Sequence, residues 1–198
     1  MAQIGRARVP TESELKRLFS VTKAGQHARR NAAMLAVSYR LGFRAKEIAS
    51  LRVRDVLDDG GKLREEFGLS ASMTKGGNPR VAFLTNPAVR QALKDYLDDR
   101  RASEDILFNV ESALFKSQKG SSFTPNTMQQ LLRRLHDLAG IVGGRSHSGR
   151  RWFATELISK GVDLKAVSTL MGHSSVAMTA RYADDNPQRL RRIAAEMG

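Results

Sequence analysis

The 198-residue chain contains no cysteine. That excludes disulfide scaffolds, cysteine-ligated zinc, thiol nucleophiles and thiol redox switching together. Acidic residues are few: 20 Asp and Glu stand against 33 Lys and Arg, a formal net charge of +13. Long apolar runs are missing too. The densest, Ala32–Val37, falls far short of the about 20 residues a membrane-crossing helix needs. The opening MAQIGRARVP lacks the apolar core of a signal peptide, so the expected location is cytoplasmic and nucleoid-associated. Internal repeats and low-complexity segments are also absent from the sequence.

What is present is a globular composition, 41% hydrophobic and 27% charged, in a length that suits one domain with its own core. The charge is uneven. Residues 1–54 hold twelve Lys and Arg against three acids, an excess of +9. Such an excess points to a polyanion, most often nucleic acid. Composition leaves a ribosomal protein, a repressor, a nuclease and a chromatin factor all open.

The pattern along the chain is mostly helical. Thr11-Glu12-Ser13-Glu14 is a capping box that opens a helix to about Val21. Residues 27–42 read as a second helix, apolar nearly all round and therefore buried, ended by Gly42. A short helix follows over about Ala45–Leu51. The period then changes. Leu69, Ala71 and Met73 alternate, as do Val81 and Phe83, around Lys75-Gly76-Gly77-Asn78-Pro79, which is a hairpin signal. Asn86-Pro87 caps a helix with Val89, Leu93 and Leu97 on one face. Ile106-Leu107-Phe108 reads as a strand or extended run, and 116–123 as a loop. Thr124-Pro125 opens a helix with Met128, Leu131, Leu132, Leu135 and Leu138 inward, broken by Gly143-Gly144. Helices are expected near 147–160 (Phe153, Ala154, Leu157 and Ile158 inward), 163–171 (Leu164, Val167, Leu170 and Met171 inward), 174–183 and 187–197. Helices, a small antiparallel sheet, then helices make an α+β, mostly α-helical domain.

Six polar residues stand out: Arg44, Lys75, His147, Arg150, His173 and Tyr182. Singly, each reads as an ordinary surface, turn, cap or half-buried residue. Jointly they fall in four boxes, Tyr39–Leu51 around Arg44, Thr74–Val81 around Lys75, His147–Thr155 with His-x-x-Arg, and Leu170–Ser175 with Tyr182 nine residues after His173. Over about Thr11–Asp184 this set resembles the catalytic domain of the tyrosine recombinases, the phage integrase family. Two departures are visible. Arg151 follows Arg150 where the family commonly has histidine, and Trp152 after it packs either beside the site or into the core. Only about ten residues precede the first helix, where most members carry a separate DNA-binding domain. The resemblance thus divides the chain into an extension (1–10), a catalytic domain (11–184) and a helical tail (185–198) that docks on a neighbouring subunit or packs on its own domain.

The chemistry suits these residue types. Phosphodiester transfer builds negative charge on non-bridging oxygens. Two guanidiniums, Arg44 and Arg150, can clamp those oxygens and stay charged, and His173 can donate a further hydrogen bond. The Tyr182 phenol, with an ordinary pKa of about 10, must lose its proton as it attacks, and His147 is suited to take it. The family assigns protonation of the leaving 5′-oxygen to the equivalent of Lys75. Glu47 is expected to orient Arg44 or His147 without touching substrate. The resemblance implies a site-specific recombinase working through a 3′-phosphotyrosyl intermediate, with no cofactor, no metal and no ATP. Its partners would be double-stranded DNA, a homo-tetramer on paired sites and accessory DNA-bending factors, with no membrane. Arg40, Lys46, Arg52, Arg54, Arg80 and Arg151 are the expected DNA-holding cations. The rival expectations are a catalytically silent DNA-binding regulator of the same fold and a type IB topoisomerase-like relaxing enzyme.

Overall fold

In a computed structural model of the chain, residues 7–74, 77–183, 191, 194 and 195 are described. The first helix starts where its cap dictates: the Thr11 hydroxyl accepts from the Glu14 amide, and the Glu14 carboxylate accepts from the Thr11 amide at 2.9 Å. Helix α1 (Glu12–Lys23) lies on α2 (Ala28–Arg40), whose residues 33–37 are all buried. An all-round apolar helix must be covered on every side. Helices α1, α5 (Pro87–Glu104) and α7 (Ser148–Ser159) supply that cover. The short α3 (Ala45–Ser50) packs on α6 (Pro125–Leu138). A one-turn helix that the sequence pattern does not announce, α4 (Val53–Val56), follows, with the Asp55 carboxylate accepting from the Arg52 amide.

The sheet is a single antiparallel pair, β1 (Glu66–Leu69) and β2 (Arg80–Phe83), with Leu69 opposite Arg80. It corrects the expected alternation in two ways. Residues 70–74 lie beyond β1, so Phe67 and Leu69 are its inward pair. On β2 the faces are reversed: Arg80 and Ala82 are buried, while Val81 and Phe83 are 45% and 44% exposed. A period of two defines two faces but does not say which one is covered.

Two more expectations are corrected. Residues 105–107 form a 3₁₀ turn rather than a strand, with Ile106 and Leu107 pointing outward. Leu138 at the end of α6 is 65% exposed, because the helix stops there and the chain turns at Gly140. The C-terminal helix expected over 187–197, and the docking tail of 185–198, lie outside the described residues except at 191, 194 and 195.

The interior divides in two. A large core joins α1 to α6, the hairpin and Trp152. A small one, Ala154, Ile158, Val167 and Met171, joins α7, α8 (Leu164–Met171) and α9 (Val176–Ala183). Tyr182 packs against the small core. Among the described residues no helix is long and apolar enough to cross a membrane.

Candidate active site

One carboxylate organises the positive half of the site. Glu47 sits in the first turn of α3 and is fully buried. Its Oε1 accepts from Arg44 Nη1 at 2.7 Å, and its Oε2 accepts from the Arg44 amide at 2.8 Å and from Arg80 Nη2 at 2.9 Å. Burial alone would raise its pKa, but Arg80, the Arg44 amide and Arg150 outweigh that and hold it below the ordinary carboxylate range. Glu47 therefore holds both Arg44 and Arg80.

Arg80 is the clearest correction to the sequence reading. It was expected on the DNA face; its side chain is instead only 4% exposed. Its Nη1 donates to the Leu170 carbonyl at 2.6 Å, and the guanidinium lies 4.6 Å from the Phe43 ring centre. The reversed face of β2 puts it there, between α3 and the end of α8. Gly172 is part of the same fit. Its φ is +60°, and a Cβ there would come 2.5 Å from Arg80 Cδ. Only glycine meets both demands at no cost.

Arg150, from the first turn of α7, is 2% exposed. Its Nη1 donates to the Gly42 carbonyl at 2.7 Å and its Nη2 to the Met171 carbonyl. Burial, and then Arg44, pull its pKa down to about 9, so it stays cationic at neutral pH. Each Nη uses one proton on a carbonyl, which leaves a second for another acceptor. Gly42 turns the chain at φ +66°, and a Cβ there would sit 2.5 Å from the Phe153 ring. Three guanidiniums, Arg44, Arg80 and Arg150, thus surround one carboxylate.

Beside them lies an open cleft of about 440 Å³, lined by His147, His173 and Tyr182, with Arg145, Arg151 and Arg181. His147 stands exposed at the N-terminus of α7. His173 follows a Schellman closure of α8, in which the His173 amide bonds the Ser168 carbonyl and the Gly172 amide the Thr169 carbonyl. Its ring is stacked on Tyr182, centres 6.0 Å apart and 6° between planes. Its Nδ1 lies 2.8 Å from the Thr179 hydroxyl. Burial, then Arg150, Arg44 and Arg80, push its pKa down to about 4, so the ring is neutral at neutral pH. A larger groove of about 550 Å³, lined in part by Arg30, Lys119 and Arg134, lies elsewhere. It holds no histidine or tyrosine, so the chemistry belongs to the smaller cleft.

The structure brings Arg44, Glu47, Arg150, His173 and Tyr182 together, with His147 at the cleft edge. Lys75 lies outside the described residues. The remaining expected cations are dispersed. Arg40 lies 4.8 Å from the Trp152 ring centre, and Trp152 is a core residue. Lys46 Nζ donates to the Thr74 carbonyl at 3.2 Å, next to the lysine hairpin. Arg52 and Arg54 are exposed and share Glu111. Arg151 donates to the Ala7 carbonyl at 2.6 Å. The sequence reading missed Arg181 and Thr179. Their places one and three residues before Tyr182, on its own helix, were the available signal.

Among the described residues no three His, Asp or Glu side chains gather as metal ligands would. The fold is that of tyrosine recombinase catalytic domains. The crystal structure of XerA recombinase matches with a TM-score of 0.76 at 26% identity, over 96% of this chain and 65% of that one. The XerH site-specific recombinase bound to palindromic difH substrate, in a post-cleavage complex, matches at 0.71 and 25% identity, over 94% and 52%. The phage integrase family model matches residues 8–189. The chain is 30% identical over 173 residues to tyrosine recombinase XerC of Pelobacter propionicus, covering 87% of this chain and 53% of that protein. It is 32% identical over 188 residues to tyrosine recombinase XerD of Pseudomonas putida, covering 94% and 60%. The chain belongs to the phage integrase family of tyrosine recombinases, and the part it contains is the catalytic domain. It spans 53% to 60% of the length of those two curated relatives.

Proposed function

We propose that this chain cuts and rejoins double-stranded DNA at specific sites, with Tyr182 as nucleophile. The observation that carries this is the Tyr182 ring stacked on His173, whose pKa is lowered by burial and then by Arg150, Arg44 and Arg80. Such a cluster suits a phosphoryl group whose negative charge grows in the transition state.

In the proposed reaction, Tyr182 Oη attacks the phosphorus and the P–O5′ bond breaks. His147 takes the phenol proton and Lys75 gives a proton to the departing 5′-oxygen. Arg44 and Arg150 hold the non-bridging oxygens, and His173, neutral, donates a hydrogen bond to one of them. The products are a 3′-phosphotyrosyl linkage and a free 5′-hydroxyl. The bond energy is kept in the covalent linkage, so rejoining needs no ATP. Glu47 and Arg80 touch no substrate; they hold Arg44 and the end of α8. The exposed Arg52 and Arg54, with Arg40, Lys46 and Arg151, contact backbone phosphates and give salt-sensitive affinity. The same reading assigns assembly as a homo-tetramer on two paired sites, with accessory DNA-bending factors, in the cytoplasm on the nucleoid.

The test is a nicked suicide duplex carrying the cognate site, to be sought among short inverted repeats in the DNA that flanks the gene. Wild type should form a covalent protein–DNA adduct and Tyr182→Phe none. Absence of adduct from wild type on a duplex it binds would sink the enzyme reading in favour of a silent DNA-binding regulator. Relaxation of plasmids that lack the site would move it to the topoisomerase-like reading.

A further inference from the structure

We propose that Thr179 is a positioning residue: its hydroxyl donates to His173 Nδ1 and so keeps the ring proton on Nε2, the nitrogen left to meet the phosphate. The catalytic consequence rests on the recombinase reading above; the tautomer itself does not.

Thr179 lies on α9, three residues before Tyr182, and is 0% exposed. A buried hydroxyl proton needs an acceptor, since a buried donor left without one forfeits the hydrogen bond it would make to water. Among the described residues, the hydrogen bond recorded for Thr179 Oγ1 is the 2.8 Å contact to His173 Nδ1. If Nδ1 carried the ring proton, the hydroxyl would have to accept, and its own proton would lack a partner. If Nδ1 is bare, the hydroxyl donates to it and both groups are satisfied. The second arrangement wins by about one buried hydrogen bond. A neutral imidazole has a single N–H, so fixing Nδ1 as acceptor makes Nε2 the donor. The ring is neutral near pH 7, its pKa lying at about 4, so the choice between tautomers is a real one.

The same contact ties two backbone segments together. His173 is fixed by the Schellman closure of α8, and Thr179 rides on the helix that carries Tyr182. One hydroxyl therefore sets both the proton on His173 and the spacing between His173 and the nucleophile, whose rings are parallel within 6°.

The experiment compares Thr179→Val, which keeps shape and loses the hydroxyl, with Thr179→Ser, which keeps the hydroxyl. Long-range proton–nitrogen correlation spectra of the histidine rings should show His173 as the Nε2–H tautomer in wild type and Thr179→Ser, and as a mixture in Thr179→Val. A wild-type Nδ1–H ring, or an unchanged ring in Thr179→Val, overturns the proposal. On the suicide duplex, adduct formation should slow on the order of tenfold in Thr179→Val, as for other residues that orient a functional histidine, and stay within about threefold in Thr179→Ser. In a His173→Gln background Thr179→Val should slow it no further; an additive loss there, or no rescue by serine, would show that Thr179 acts only in packing. Failure of wild type to form adduct would sink the recombinase reading alone, because the spectra still decide the tautomer.

Discussion

The two halves of the cleft are held by different forces. The guanidinium half is locked from within: Glu47 is fully buried, Arg80 is 4% exposed, and Arg150 is bound to the carbonyls of Gly42 and Met171. The nucleophile half is held by a small apolar cluster, a ring stack and one hydroxyl. Buried charges in a low dielectric are costly to disturb, whereas four buried side chains and a stack are not. The charge-stabilising part of the site is thus built as a fixed frame. The tyrosine sits on the more weakly held segment, which would suit the proposed nucleophile, a side chain that has to reach a phosphorus and be released again.

The largest expected effect comes from breaking the frame. Glu47→Ala leaves Arg80 buried without its carboxylate and should cost about 3–5 kcal/mol of stability by chemical denaturation. A loss below about 1 kcal/mol would mean that the frame is not held by this charge. Arg150→Ala should slow adduct formation about 10²–10³-fold, the usual cost of losing one preorganised donor, while DNA affinity changes only a few-fold. Equal losses in both would make Arg150 a binding residue. Lys75→Ala should slow cleavage at least about 10²-fold, with recovery on a 5′-bridging phosphorothiolate duplex whose leaving group needs no proton. No recovery would remove its acid role. Ile158→Val, in the small core, should cost only about 1 kcal/mol in global stability yet slow adduct formation more than an equally mild change in the large core, such as Ile48→Val. Equal kinetic effects would erase the distinction between the two halves.

Acid should sharpen the same comparison. His173 is held neutral, with a pKa of about 4 against an ordinary 6.5. The unfolded chain therefore takes up that proton first, and stability contributed by the neutral ring is lost as pH falls from about 6.5 to about 4. Glu47, held below the ordinary carboxylate range of 4.5, loses its contribution only below that window's lower part. His173→Gln should flatten the slope of unfolding free energy against pH between 6.5 and 4 and leave the steeper loss below it unchanged. An unaltered slope would place the titrating group elsewhere.

Much of this was legible in the sequence. The Thr11–Glu14 capping box, the Asn86-Pro87 and Thr124-Pro125 starts and the all-apolar α2 carry their structure in local chemistry, and each appears where the pattern puts it. The residues of the site were legible as a set because four boxes recur in order. The hairpin was legible as a pair of strands but not in its facing, and the 3₁₀ turn at 105–107 was hidden because a three-residue apolar run carries no period.

The sequence by itself determined the helices with their caps, the excess of positive charge and the set of candidate site residues, because these depend on side-chain chemistry and neighbours a few positions away. Only the tertiary structure decided which cations face inward. Arg80 looked like any strand arginine beside Val81 and Phe83. It is buried because Glu47, 33 residues earlier, offers the carboxylate that makes burial of a charge tolerable, and because Phe43 and Leu170 close over it. Thr179 gained its meaning in the same way. A hydroxyl within a helix says nothing until the fold buries it and places an imidazole nitrogen 2.8 Å from it.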